Sequence, residues 1–164
     1  MTASPVLVLT AAATLGAAAV GGLFYAFSSF VMRGLDRIGP TAAITAMRGI
    51  NAEAQANGVF LALFFVSALL GLALGVVAVV QIRQPGSGYL LGGAVLSVLA
   101  VIVTIAFNVP LNDRLAALDP ATLSAADAAR EWRAYLDPWT TWNHVRTVAP
   151  LLGSALMTMG LRYR

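Results

Sequence analysis

The sequence contains no cysteine, no lysine and a single histidine, and only 10% of its residues are charged, against about 25% in an ordinary soluble domain. Without cysteine there are no disulfides, no thiolate nucleophile, no Cys-ligated zinc and no iron–sulfur cluster. One histidine is too few for a zinc site, so no metal is expected. No Asp or Glu falls inside an apolar block. That argues against a paired-carboxylate acid–base centre and against a proton-coupled transport path, which needs an ionisable group at depth. There is no glycine-rich phosphate loop. The ten cations are all arginine and are scattered, so the net charge of +3 does not point to nucleic acid.

What remains is apolar: 59% of residues are hydrophobic, and they come in long blocks. Residues 6–32, 58–82, 89–112 and 148–161 carry no charge. A helix needs about 20 residues to cross a hydrocarbon core of about 30 Å. The pattern predicts an all-α, integral membrane bundle of four transmembrane helices, at about 6–32, 58–82, 89–109 and 138–161, in one domain over 1–164. The first block is preceded by "MTASP", which has no arginine, and it is too long for a signal h-region, so it reads as a retained helix. Small residues four apart (Ala17 with Gly21, Ala18 with Gly22, Gly71 with Gly75) let helices approach closely. They suit a compact bundle or a homo-oligomer equally well.

Short amphipathic helices are expected in loops 1 and 3. In loop 1 (33–57), Gly39-Pro40 is a turn signal and Thr41 an N-cap, and the helix that follows runs toward the second span. Loop 2, "RQPGSG", is a tight turn that makes the second and third helices antiparallel neighbours. Loop 3 (113–137) holds "DPATLSAADAAREWRAYL", an interfacial helix. Asp137-Pro138 then reads as an N-cap followed by proline at the first position of the fourth span. Four crossings put both termini on one side and loops 1 and 3 on the other. The arginine excess of those loops makes them cytoplasmic in a bacterial inner membrane.

Three polar clusters gather at that face. Arg48, Asn51 and Gln55 share one side of the loop 1 helix, and for Gln55 and Glu53 an ordinary solvated face suffices. "FNVPLNDR" holds Asn108 and Asn112, four apart, with Pro110 between them removing a backbone bond to Ala106. An amide at membrane depth costs free energy unless partnered, so Asn108 should face the interior. The third cluster is "DPWTTWNHVR". Trp139 and Trp142 suit the interfacial aromatic belt, with Trp139 as an anchor. His144 is the one side chain that ordinarily titrates near neutrality. In a regular helix His144 and Arg146 lie well over about 90° apart, so both cannot face one small pocket unless the helix is distorted.

The segments "GLFYAFSSFVM", "AITAMRGIN", "FNVPLN" and "WRAYLDPWTTWNHVRT" occur in an order and spacing that resemble the anthrone oxygenase-like family of small membrane proteins. The resemblance spans nearly the whole chain. It implies oxidation of polyketide anthrones to anthraquinones with molecular oxygen and no metal or flavin. It points to Asn51, Asn108, Pro110, Asn112, Trp142, Asn143, His144 and Arg146, which stand in the matching motifs.

The resulting expectation is a cofactor-independent oxygenase acting on an apolar small molecule that enters from the bilayer. His144, Arg146 and Asn108 are its catalytic candidates. Arg48, Asn51, Asn112, Trp142 and Asn143 are its substrate-binding candidates. His144 would take a proton from an activated carbon, and Arg146 with Asn108 or Asn112 would stabilise the enolate oxygen. The alternative is a non-catalytic membrane module that binds a lipid, quinone or partner protein, or a haem through His144.

Overall fold

The computed structural model describes residues 4–164, and every regular element among them is helical. Helix α1 (Pro5–Ala26) starts with proline at its first turn, where a missing N–H costs nothing. It passes through one π-helical turn, Phe27–Val31, into α2 (Met32–Arg37). Helices α3 (Pro40–Ala56) and α4 (Gly58–Val80) follow. Helix α5 (Ser87–Val103) passes through a second π-turn, Thr104–Asn108, into α6 (Val109–Ala116), and α7 runs from Ala125 to Arg162.

Three stretches are long and apolar enough to cross a membrane: Pro5–Arg37, Gly58–Val80 and Ser87–Ala116. The expected fourth, at 138–161, does not reach that apolarity, because Asn143, Arg146 and Thr147 interrupt it. Helix α7 nevertheless packs along both α1 and α5, and α4 packs on the other side of both, so the four long helices close a ring. One end of the ring holds the α4–α5 turn and the chain ends. The Arg164 guanidinium donates to the Gln81 side chain, and Ser4 shares a cleft with Gln81 and Arg164. The short turn therefore makes α4 and α5 antiparallel neighbours, as the sequence predicts.

Close approach is made by glycine. A Cβ on Gly93 of α5 would lie 2.7 Å from the Gly153 carbonyl oxygen of α7, and one on Gly153 would lie 2.8 Å from that of Gly93. The two backbones touch with no side chain between them. Of the small residues read from the sequence, Gly21 meets Leu151 of α7 and Gly71 meets Ser97 of α5, so both pack within the chain, while Gly22 faces open space.

The other end carries a second core outside the ring. Helices α2, α3 and α6 and the first half of α7 enclose Ile44, Met47, Leu115, Trp132, Tyr135 and Trp139. Trp139 is thus 4% exposed, a core residue rather than an interface anchor.

Several boundaries differ from expectation. The fourth helix does not begin at Pro138: α7 is one helix of 38 residues, about 57 Å at 1.5 Å per residue. Its N-cap is Ser124, whose hydroxyl accepts from the Asp127 N–H at 3.1 Å. The buried positions Ala128, Trp132, Tyr135, Trp139, Asn143 and Arg146 continue at spacings of three and four straight through Pro138. Packing on both sides holds the helix against the proline, and Ala134, whose carbonyl loses its donor, is exposed. Helix α3 begins at Pro40 with Gly39 (φ 90°) as cap, so Thr41 lies inside it. It does not run into α4. Asn57 leaves helical geometry and caps α4, its side chain accepting from the Phe60 N–H at 3.0 Å.

Pro138→Ala restores a backbone donor to Ala134 and is expected to raise stability by up to about 3 kcal/mol in thermal unfolding. A helix starting at 138 would gain nothing from it. Gly93→Ala is expected to cost about 1–3 kcal/mol through overpacking, whereas Gly22→Ala, with nothing within 4 Å, should cost nothing measurable.

Candidate functional site

The polar residues of the ring interior collect where the two π-turns face α7. A π-turn holds one extra residue per turn and is frequent at functional sites. In the second, the Val109 N–H donates to the Thr104 carbonyl, five residues back. That register widens the helix just before Pro110, whose ring would otherwise press on the Ala106 carbonyl. The first turn presents Ser28.

Asn143 is 0% exposed and joins three elements. Its Nδ2 donates to the Phe24 carbonyl at 2.9 Å and to Ser28 Oγ at 2.8 Å. Its Oδ1 accepts from Arg146 at 2.8 Å. These partners fix the amide orientation, since a flip would set oxygen against oxygen and N–H against N–H. Ser28 Oγ also lies 2.9 Å from His144 Nδ1 and 3.0 Å from Thr147 Oγ1. Four residues of α7 are thus linked through one serine and one asparagine.

Arg146 is 3% exposed. Its guanidinium stacks 4.2 Å from the Phe24 ring centroid and 4.9 Å from that of Trp139. It donates to Asn143, and weakly, at 3.4 Å, to Thr104 Oγ1 on the second π-turn. Its Nε has no partner, and among the described residues it forms no ion pair. Burying a charge costs several kcal/mol. Two cation–π contacts at about 2 kcal/mol each when desolvated, with charge-assisted hydrogen bonds, offset part of that and leave the charge without an anion. Pro150 also deprives the Arg146 carbonyl of its helical donor.

The asparagines of the second cluster tie helices together. Asn108 is 0% exposed and faces the interior, as expected, and its Nδ2 donates to the Trp139 carbonyl at 3.2 Å. Its Oδ1 is buried without a partner. Asn112 Oδ1 accepts from Tyr135 Oη at 2.9 Å and from Trp139 Nε1 at 2.8 Å. Burial pushes the Tyr135 phenol above its ordinary range, so it stays protonated and donates. Trp142 is half-buried and stacks on Phe107 at 3.6 Å between centroids.

Two spaces flank this network. An apolar cavity of about 210 Å³ is walled by Phe24, Phe27, Phe60, Trp139, Met47 and Asn51, among others. Asn51 Nδ2 is buried there with no partner. On the other side of the α1–α7 seam lies a polar groove of about 350 Å³ that includes Ser28, Arg33, Asp36, Asp137, Thr140 and His144. His144 is exposed in the groove and Arg146 is enclosed in the ring, which is the divergence that helical spacing demands. Arg48 is half-buried on α3 and takes no part in these hydrogen bonds, while Glu53 and Gln55 are exposed. Asn143 and His144 are therefore joined through Ser28 and Arg146 through Asn143, whereas Arg48 stands apart. Sequence reading passed over Ser28, Phe24, Thr104 and Thr147.

A model of the family described as "Anthrone oxygenase" matches residues 58–156, more than half of the chain. The match spans α4, α5, α6 and most of α7, and the protein is an all-helical chain with membrane-type helices. It belongs to the anthrone oxygenase family. No curated protein and no solved structure matches it.

Asn143→Leu is expected to cost at least about 2 kcal/mol, because a guanidinium N–H and a buried carbonyl each lose a partner at about 1–3 kcal/mol. His144→Ala, on the exposed groove, should cost under about 1 kcal/mol. Thermal unfolding of the two variants in detergent compares them directly. Equal losses would show that Asn143 is not the tie holding α1 to α7.

Proposed function

We propose that the protein is a cofactor-independent oxygenase of the membrane interior, converting a flat, apolar phenolic ketone of anthrone type into its quinone with molecular oxygen. The observation that carries this reading is the Arg146 guanidinium, buried without a carboxylate. The two rings that hold it also wall an aromatic cavity. An unpaired cation in a low-dielectric site favours formation of an anion beside it.

In the proposed reaction the ketone loses a proton from its activated ring carbon and becomes an enolate. The enolate carbon attacks oxygen, the peroxide takes up a proton, and loss of water leaves the quinone. The charge of Arg146 stabilises the enolate oxygen, which accepts from Asn51 Nδ2, the amide beside Tyr135. Asn108 and Asn112 are not assigned this role: neither lines the cavity, and Asn108 Nδ2 already donates to the Trp139 carbonyl. Trp142 and Arg48 also lie outside the cavity wall; so does Arg146, but it lies against the Phe24 and Trp139 rings that form that wall, and Asn143 holds it in place. His144 is the proposed base. Phe27 and Trp139 wall the cavity while their chain neighbours Ser28 and Thr140 wall the groove. The Phe27–Trp139 pair, tilted at 54° with 5.6 Å between centroids, is the layer the substrate must displace to reach His144.

Helix α7 serves as a fourth transmembrane span in this reading. It packs along α1 and α5, and its Asn143, Arg146 and Thr147 are buried between the helices, away from lipid. The site then opens within a multi-pass protein of the bacterial inner membrane, with α3 and the start of α7 on the cytoplasmic side. The second reading is a binding module for a quinone or lipid. It is favoured by the cavity wall, which is almost wholly apolar and aromatic and would take a flat apolar molecule without any chemistry.

Purified protein, an anthrone and oxygen distinguish the two. Oxygen uptake above the protein-free rate is expected. It should fall about 100-fold or more in His144→Ala and about 100- to 1,000-fold in Arg146→Met. Uptake no faster than the protein-free control, with a quinone or lipid co-purifying, would establish the binding module instead.

A further inference from the structure

We infer that Ser28 sets the tautomer of His144, so that the neutral imidazole carries its proton on Nδ1 and leaves Nε2 as the free base. Ser28 is a positioning residue for the base assigned above. The inference rests on that reading only for its catalytic consequence.

Asn143 Nδ2 has two hydrogens, one spent on the Phe24 carbonyl and one on Ser28 Oγ. Its orientation cannot reverse, because Arg146 donates to Oδ1. Ser28 Oγ therefore already accepts one bond, and it has one hydrogen of its own. Thr147 also has one hydrogen, and its hydroxyl donates to the Asn143 carbonyl at 2.9 Å. The 3.0 Å contact between Ser28 and Thr147 is then a hydrogen bond only if Ser28 donates. Ser28 has no hydrogen left for His144. The 2.9 Å contact between Ser28 Oγ and His144 Nδ1 is a hydrogen bond only if Nδ1–H donates. This is the one proton arrangement in which all six contacts are bonds.

The consequence is chemical. Imidazole in water favours the proton on Nε2, so the site holds the less common form. A hydrogen bond at one ring nitrogen decides what the other can do. With Nδ1 committed to Ser28, the lone pair is on Nε2, the edge of the ring turned away from Ser28. The charged groups around the groove are Arg33 and Asp36 of α2 and Asp137 of α7; the first π-turn, which supplies Ser28, contributes none. Neither carboxylate is hydrogen-bonded to the ring, so the tautomer is set by the hydroxyl.

His144 is the only histidine, so ¹⁵N-histidine labelling of the full chain in detergent gives one pair of ring signals. Above the histidine titration the wild type is expected to show a protonated, pyrrole-type Nδ1 and an unprotonated, pyridine-type Nε2. Ser28→Ala should exchange the two types, and Ser28→Thr, which keeps the hydroxyl, should not. Thr147→Val tests the count most sharply, because it never touches His144. It removes the acceptor of the Ser28 hydrogen, frees that hydrogen for Nδ1, and should move the imidazole proton to Nε2. A wild-type protein with the proton on Nε2 overturns the inference. So does a Thr147→Val protein that keeps it on Nδ1. These signals do not depend on turnover, so an inactive protein with the expected tautomer would discard the oxygenase reading and leave this inference standing.

Discussion

A guanidinium enclosed by aromatic rings with no carboxylate to answer it is the constraint around which the ring of helices is arranged. Arg146 cannot be hydrated where it sits, so α1 supplies Phe24, α7 supplies Trp139 and Asn143, and the second π-turn supplies Thr104. Each of these has a further tie. Asn143 holds the Phe24 carbonyl, Trp139 holds Asn112 through its ring and Asn108 through its carbonyl, and Ser28 joins α1 to three residues of α7. Hydrogen bonds of this kind carry specificity where helices lack a hydrophobic drive to associate. The two π-turns belong to the same arrangement, since they bring Ser28 and Thr104 to the helix that carries the charge.

The division into an apolar cavity and a polar groove follows from helical geometry. Residues 144 and 146 lie on opposite faces of α7, so one helix lines two spaces with different chemistry. A site that must accept an apolar molecule and also exchange protons with water has a use for both. The tilted Phe27–Trp139 pair stands between them.

Much of this was legible in the sequence. The apolar blocks, a tight turn between the second and third of them, the inward Asn108 and the divergence of His144 from Arg146 all follow from length, composition and spacing. The family resemblance rests on the same motifs. The break at Pro138 was misread because a local rule about proline was set above a longer pattern. The stripe from Ala128 through Trp132, Tyr135, Trp139 and Asn143 to Arg146 keeps its period across that proline, and the stripe was the better signal. Trp139 suits an interfacial belt by residue type alone, whereas its place in that stripe puts it in the core. Ser28 could not have been found. Hydroxyls in apolar helices usually donate to their own backbone four residues back, as Ser29 does to the Tyr25 carbonyl and Thr104 to that of Ala100. Nothing local separates Ser28 from Ser29. The π-turn that aims it at α7 is a tertiary effect.

The non-helical joints at Gly39 and Asn57 have a mechanical consequence. Helix α7 passes unbroken through the ring and the outer core, so it acts as a strut that forbids the two from shifting as separate bodies. Helix α3 is different: it is hinged at both ends, by a glycine at φ 90° and by an asparagine in extended geometry. It supplies Met47, Ile50, Asn51 and Ala54 to the cavity wall. Helix α3 is thus the one wall of the cavity that is not part of a long ring helix, and its Ile44 and Met47, buried in the outer core, hold that wall in place.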